Sequence, residues 1–185
     1  MKRKIKTMNF ERRTKMNKHV GDLLNTQINK EMYSAYLYLD MSIYYEKVGL
    51  EGFANWYNIQ AKEEMDHAML MMKYLQNNEY EVSLEAVAKP DKVFEKFEDP
   101  LYASLEHEKY VTSLIHDIYA AAYEVKDFRA MKFLDWIVDE QGEEEKNAND
   151  MITRFELFGH DPKGLYELDA EYKARVYSAP SLVLD

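Results

Sequence analysis

The stretch Gln60-Ala61-Lys62-Glu63-Glu64-Met65-Asp66-His67-Ala68-Met69-Leu70-Met71 decides the fold. At 3.6 residues per turn, Gln60, Glu64, His67 and Met71 share one face. Steps of four and three carry that face back to Tyr57 and Phe53 and forward to Tyr74. The stripe is apolar at both ends, as the buried face of a helix must be. Its middle holds a carboxylate and an imidazole one turn apart, a spacing at which both can reach one metal ion.

Three further stripes have the same composition. The first helical segment, 17–47, places Leu24, Ile28, Glu31, Ala35, Tyr38 and Ser42 on one face. The third, from Pro100 to about residue 126, places Leu101, Leu105, Glu108, Thr112, Ile115, Tyr119 and Ala122. The fourth, 128–158, places Phe133, Ile137, Glu140, Glu144, Asn147 and Met151. Each stripe has Glu near its middle, where a bundle ordinarily places Leu or Val.

The connections set the topology. Gly49 ends the first segment and Glu51 opens the second, and the link between the third and fourth is equally short, so each pair is an antiparallel hairpin. The stretch 79–99 has no sustained period and is bounded by Pro90 and Pro100. About 20 residues of extended chain reach up to roughly 65 Å, whereas helices of 25–30 residues are about 40 Å long. The second and third helices are therefore expected to run parallel. The predicted fold is all-α: a four-helix bundle with one long crossover, followed by a short fifth helix at about 164–175.

Composition narrows the chemistry. With no Cys, there is no disulfide, thiolate metal site or iron–sulfur cluster. Glycine is absent between Gly52 and Gly142, which argues against phosphate-binding glycine loops and against a β-sandwich. The net charge is −10, unevenly spread: residues 1–15 hold seven Lys/Arg against one Glu, leaving −16 for the rest. The domain reading is a basic N-terminal extension at 1–15, a helical domain at 16–175 and a tail at 176–185. No membrane partner is expected, and nucleic acid only through the basic segment. That segment lacks the apolar run of a secretory signal, so a soluble, cytoplasmic protein is expected.

Four carboxylates on four inward faces must be neutralised, because an isolated buried carboxylate costs several kcal/mol. Glu31, Glu64, Glu108 and Glu144 supply about −4, which two divalent ions would balance, and His67 adds a neutral nitrogen donor. Oxygen ligands with one imidazole suit iron, manganese or zinc better than copper or magnesium.

The runs Ile28-Asn29-Lys30-Glu31-Met32-Tyr33, Lys62-Glu63-Glu64-Met65-Asp66-His67, His107-Glu108 and Asp139-Glu140-Gln141-Gly142-Glu143-Glu144-Glu145 resemble prokaryotic non-haem ferritin, as does Lys163-Gly164-Leu165-Tyr166-Glu167-Leu168-Asp169. The resemblance spans about 16–173. It implies a hollow homo-oligomeric cage of 24 subunits that oxidises Fe(II) with O₂ or H₂O₂ and stores ferric mineral. It also implies that Glu31, Glu64 and His67 ligate one iron of a di-iron centre. Glu64, Glu108 and Glu144 would ligate the other, with Gln141 beside it. Glu63, Glu140 and Glu143, sharing Glu144, match a third iron site, and Tyr38 matches a site tyrosine.

Bacterioferritin-like sites repeat Glu-x-x-His on a second helix. Here Val111, Glu143 and Asn147 stand three residues after Glu108, Glu140 and Glu144, and no haem is expected. A di-iron oxidase or peroxidase that stores nothing, and a metal-free helical scaffold, remain the alternatives.

Overall fold

Because Gly49 adopts φ +83°, the left-handed conformation that side chains disfavour, α1 (Lys18–Val48) stops and reverses there. Gly49 N–H donates to Glu46 O at 3.2 Å and Leu50 N–H to Tyr45 O at 3.0 Å, the paired bonds of a Schellman ending. At the other end, the Asn17 side chain accepts from the amides of His19 and Val20. Helix α2 (Glu51–Asn77) follows at once and packs antiparallel on α1. The computed structural model describes residues 15–184, so the basic segment, apart from Lys15, lies outside the described residues.

Helices α3 (Asp99–Glu124) and α4 (Phe128–Phe158) form the second hairpin, and α5 (Pro162–Lys173) closes one end. Among the described residues there is no strand. The link between α2 and α3 runs the length of α1. It starts with Tyr80 bonded to Asp22, continues through Asn25 to Ser83 O (2.9 Å) and Asn29 to Ala86 O (3.2 Å), and ends with Tyr45 to Phe97 O (2.6 Å). It therefore delivers α3 to the same end of the bundle from which α2 departs, and the two helices are parallel, as expected from length alone.

Helix α2 lacks a capping side chain of its own, since Leu50 precedes it. Asp169 of α5 takes that role: its Oδ1 accepts from Gly52 N at 2.7 Å and Phe53 N at 3.1 Å. The fit requires glycine, because a Cβ on Gly52 would sit 1.7 Å from Asp169 O.

The core falls into two apolar clusters. One is mainly aliphatic, with Val20, Leu24, Ile28, Met71, Leu75, Ile115, Leu134 and Ile137. The other is largely aromatic, with Tyr38, Tyr45, Phe53, Tyr57, Phe155 and Tyr172. Between them lie the buried polar residues Gln27, Glu31, Ser34, Gln60, Glu64, His67, Ser104, Glu108 and Gln141. The stripes of α1 and α2 are buried as predicted. On α3, Leu101, Glu108, Ile115 and Ala122 are buried as expected, but between them Ser104, Val111 and Ile118 are buried while Leu105, Thr112 and Tyr119 stand at the edge.

Candidate metal centre

Glu31 from α1 and Glu64 with His67 from α2 meet midway along the bundle, with one ligand atom of each within 4.8 Å of the others. Glu31 and Glu64 are only 2% and 3% exposed. The Gln27 amide donates to Glu31 Oε1 at 2.9 Å, while Glu31 Oε2 has no hydrogen-bond donor. Glu64 is little better supplied, with Gln60 Nε2 at 3.4 Å from one oxygen and His67 Nδ1 at 3.6 Å from the other. A buried carboxylate oxygen without a donor needs either a proton or a cation. Burial and the Glu64 charge push Glu31 up to about 8. Burial, then Glu108, raises Glu64 well above the usual carboxylate range.

Glu108 of α3 contrasts with this pair because both of its oxygens are bonded. Tyr38 donates to Oε1, and Gln141 Nε2 donates to Oε2 at 2.6 Å. Burial still raises its pKa, against the pull of those two donors. Glu144 of α4 is half-buried at the rim, where Gln60 Nε2 donates to its Oε2 at 2.6 Å. Burial, then Glu108 and Glu64, raises it well above its ordinary value. The α4 stripe is thus split: Gln141 takes the interior position, and Glu140 and Glu144 look toward α2.

Glu63, His67, Glu140, Glu143 and Glu144 line one cavity of about 280 Å³ beside this layer, with Trp136 edge-on to His67 at 5.8 Å. The expected third group therefore shares a space, with Glu143 exposed and Glu63 and Glu140 partly buried. Glu63 is bound to Arg175 (Nη2 to Oε2, 2.7 Å). Three contributors were not assigned in the sequence. Gln27 and Gln60 each precede a buried Glu by four residues, a spacing at which an amide reaches a carboxylate, and this repetition was legible. Arg175, in an irregular segment, carried no such signal. His107 stays outside the ligand group: it is bonded to Ser34 Oγ at 2.7 Å, and burial lowers its pKa to about 4.

A family model described as a ferritin-like domain matches residues 21–158. The chain belongs to the ferritin family. It is 36% identical over 158 residues to a bacterial non-heme ferritin of Campylobacter jejuni, covering 85% of this chain and 95% of that one. It is 35% identical over 156 residues to a probable bacterial non-heme ferritin-like protein of Haemophilus influenzae, covering 84% and 94%. An Archaeoglobus fulgidus ferritin engineered into a closed form superposes with a TM-score of 0.86 at 39% identity, covering 88% of this chain and 99% of that one. The open-pore ferritin of the same archaeon gives 0.84 at 39% identity, covering 87% and 99%. No helix among the described residues is long and apolar enough to cross a membrane.

Proposed function

We propose that this ferritin stores iron and acts as a ferroxidase, taking up Fe(II) at the mid-bundle carboxylates and delivering Fe(III) to a mineral held in a hollow 24-subunit cage in the cytoplasm. The observation that carries this reading is the Glu31–Glu64–His67 group, buried in an apolar bundle with one carboxylate oxygen lacking any donor. Such a group attracts a divalent cation strongly, since each bound ion replaces repulsion between carboxylates by attraction.

In this reading Glu31, Glu64 and His67 hold one substrate ion, and Glu64, Glu108 and Glu144 hold a second, with Glu64 common to both. Glu63, Glu140 and Glu143 form a neighbouring third position. As hard anionic donors, carboxylates favour Fe(III) over Fe(II), so the site lowers the barrier to electron loss to O₂ or H₂O₂. Tyr38 and Gln141 orient Glu108 through their hydrogen bonds, and Gln27 and Gln60 orient Glu31 and Glu144. Protons on Glu31 and Glu64 leave as metal enters.

The test is an anaerobic Fe(II) titration followed by a pulse of O₂, read by absorbance and by iron retained per subunit. Two ions bound tightly per subunit, rapid oxidation and iron retained far beyond two are expected, on a particle near 24 × 22.0 kDa. A small oligomer that oxidises iron and retains none would overturn storage. A protein that binds no metal would overturn the whole reading.

A further inference from the structure

Beyond α5 the chain turns back and runs along the groove between α2 and α4, outside the residues matched by the family model. Besides the contacts of the Arg175 side chain, three hydrogen bonds fasten it. Asn55 Nδ2 donates to Arg175 O at 3.0 Å, Tyr177 OH donates to Asp66 Oδ2 at 2.6 Å, and Trp136 Nε1 donates to Ser181 Oγ at 2.9 Å. Leu182 and Leu184 rest on the aliphatic cluster, while Val176 and Val183 are about four-fifths exposed. Ser178, Ala179, Pro180 and Ser181 form one wall of the cavity that holds Glu63, Glu140, Glu143 and Glu144.

Arg175 is the cation in that wall, and its guanidinium makes four contacts. It donates to Glu63 Oε2 at 2.7 Å, to Gln60 Oε1 at 3.1 Å and to Trp56 O at 3.2 Å, and it lies 4.1 Å over the Trp56 ring. The arginine and glutamate side chains are only 18% and 19% exposed, so the pair is poorly screened by solvent. The bond to Gln60 has a second effect. Arginine only donates, so it fixes the amide with its oxygen outward and its NH₂ toward carboxylates. That NH₂ is the group bonded to Glu144 at 2.6 Å and placed 3.4 Å from Glu64. One side chain therefore engages Glu63 directly and holds Glu144 through Gln60.

We infer that residues 174–184 are a displaceable strap, and that Arg175 is a built-in counter-cation which an incoming metal ion must expel to bind Glu63 and to release Glu144 from Gln60. The strap sets the affinity of the third metal position below that of the first two, and couples its filling to opening of the cavity wall. The inference rests on the metal-binding reading above for the identity of the competitor. The contacts of Arg175 do not depend on that reading. As a positioning residue, Arg175 acts on Glu144 only through Gln60.

The experiment uses the full chain with Arg175→Gln and Arg175→Lys, and Zn(II) as a redox-inert probe in calorimetry. In wild type, two ions bind tightly and a third weakly. In Arg175→Gln the third tightens about tenfold or more, equivalent to roughly 1.4 kcal/mol, and the first two move far less. Arg175→Lys keeps the charge without the fork, so its third affinity lies between the two. Chymotrypsin cleavage after Tyr177 reports the strap itself. Zn(II) should accelerate it in wild type, and Arg175→Gln should be cleaved fast without metal. An unchanged third affinity in Arg175→Gln, with the first two ions still bound, overturns the competition while leaving the two-ion reading intact. If wild type binds no pair of ions, that reading fails on its own. Cleavage then decides the strap: faster cutting of Arg175→Gln upholds it, and equal cutting overturns it.

Discussion

The two halves of the core differ more than their shared burial implies. On one side of the carboxylate layer, Leu24, Ile28, Met71, Leu75 and Ile115 make a cluster whose fully buried members have nothing to hydrogen-bond. On the other, Tyr38, Tyr57 and Tyr45 stack in succession at 5.7 Å, and Tyr45 lies 5.0 Å from Phe53. Each of those tyrosines must place a hydroxyl: Tyr38 on Glu108, Tyr57 near Ser104 (3.2 Å) and Tyr45 on Phe97 O. The aliphatic half is insulation, indifferent to what the carboxylates do. The aromatic half is wired to them, because its first ring donates to a carboxylate of the layer. The bundle thus separates stability from site tuning by residue type along its axis.

The largest test of that division removes the layer's centre. Glu64→Gln keeps volume but withdraws the anion common to both proposed ions. Tight pairing and fast oxidation should be lost, leaving slow surface mineralisation. The metal-free variant should melt at an equal or higher temperature than metal-free wild type, since one of several repelling buried carboxylates is gone. A clearly destabilised metal-free variant, or oxidation at the wild-type rate, would contradict the assignment.

Next come changes at either end. Ile115→Ala, in the aliphatic half, should cost about 2–5 kcal/mol in chemical denaturation while leaving metal stoichiometry and oxidation rate unchanged. Tyr38→Phe should cost about 1–3 kcal/mol, since it leaves a buried carboxylate oxygen of Glu108 without its donor. It should still alter the oxidation rate, because Glu108 loses a donor. If the two variants affect stability and rate in the same proportion, the two halves are not functionally distinct.

The last test is pH. Glu31, pushed up to about 8, holds a proton in the folded chain that the unfolded chain releases near 4.5. Its contribution to stability is complete below 4.5 and is lost as pH rises through about 8. His107, lowered to about 4, acts oppositely, contributing stability above 6.5 that is lost as pH falls toward 4. Between pH 6.5 and 8 the carboxyls act with little opposition. The unfolding free energy of the metal-free protein should therefore fall across that window, by at most about 1.4 kcal/mol per pH unit for each group, and its melting temperature should fall with it. With Zn(II) bound, the fall should disappear, because metal replaces the protons. A flat metal-free profile would mean that the carboxyls are ionised throughout.

Much of this architecture was legible because punctuation and period agree. Gly49, Pro100 and Gly159 bound helices whose inward faces repeat in threes and fours, and the long link between α2 and α3 leaves one topology. On α3, Leu101, Glu108, Ile115 and Ala122 are inward as read, but the positions between them were one step out, because both Ser104 and Leu105 lie a turn before Glu108 and only the packing of neighbouring helices chooses between them. The same ambiguity put Glu144 in the interior, where the structure has Gln141. Arg175 was beyond reach for a different reason: its partners, Trp56, Gln60 and Glu63, lie 112–119 residues earlier, and no local pattern links them.

The Asp169 cap on α2 bears on how the protein emerges from the ribosome. The first amides of α2 receive their acceptor from a residue made 117 positions later. At about 5–20 residues per second, that is a wait of roughly ten seconds. Until then the first turn of α2 is held by α1 alone, through Ser42 on Ala54 O and Tyr45 on Phe53, and its first amides have no side-chain acceptor. A growing chain therefore cannot finish its aromatic end before nearly all of it has been translated, whereas Leu24, Ile28, Met71 and Leu75 can already meet once the α1–α2 hairpin is out. Stalled synthesis before Asp169 would leave a nascent bundle firm at one end and open at the other.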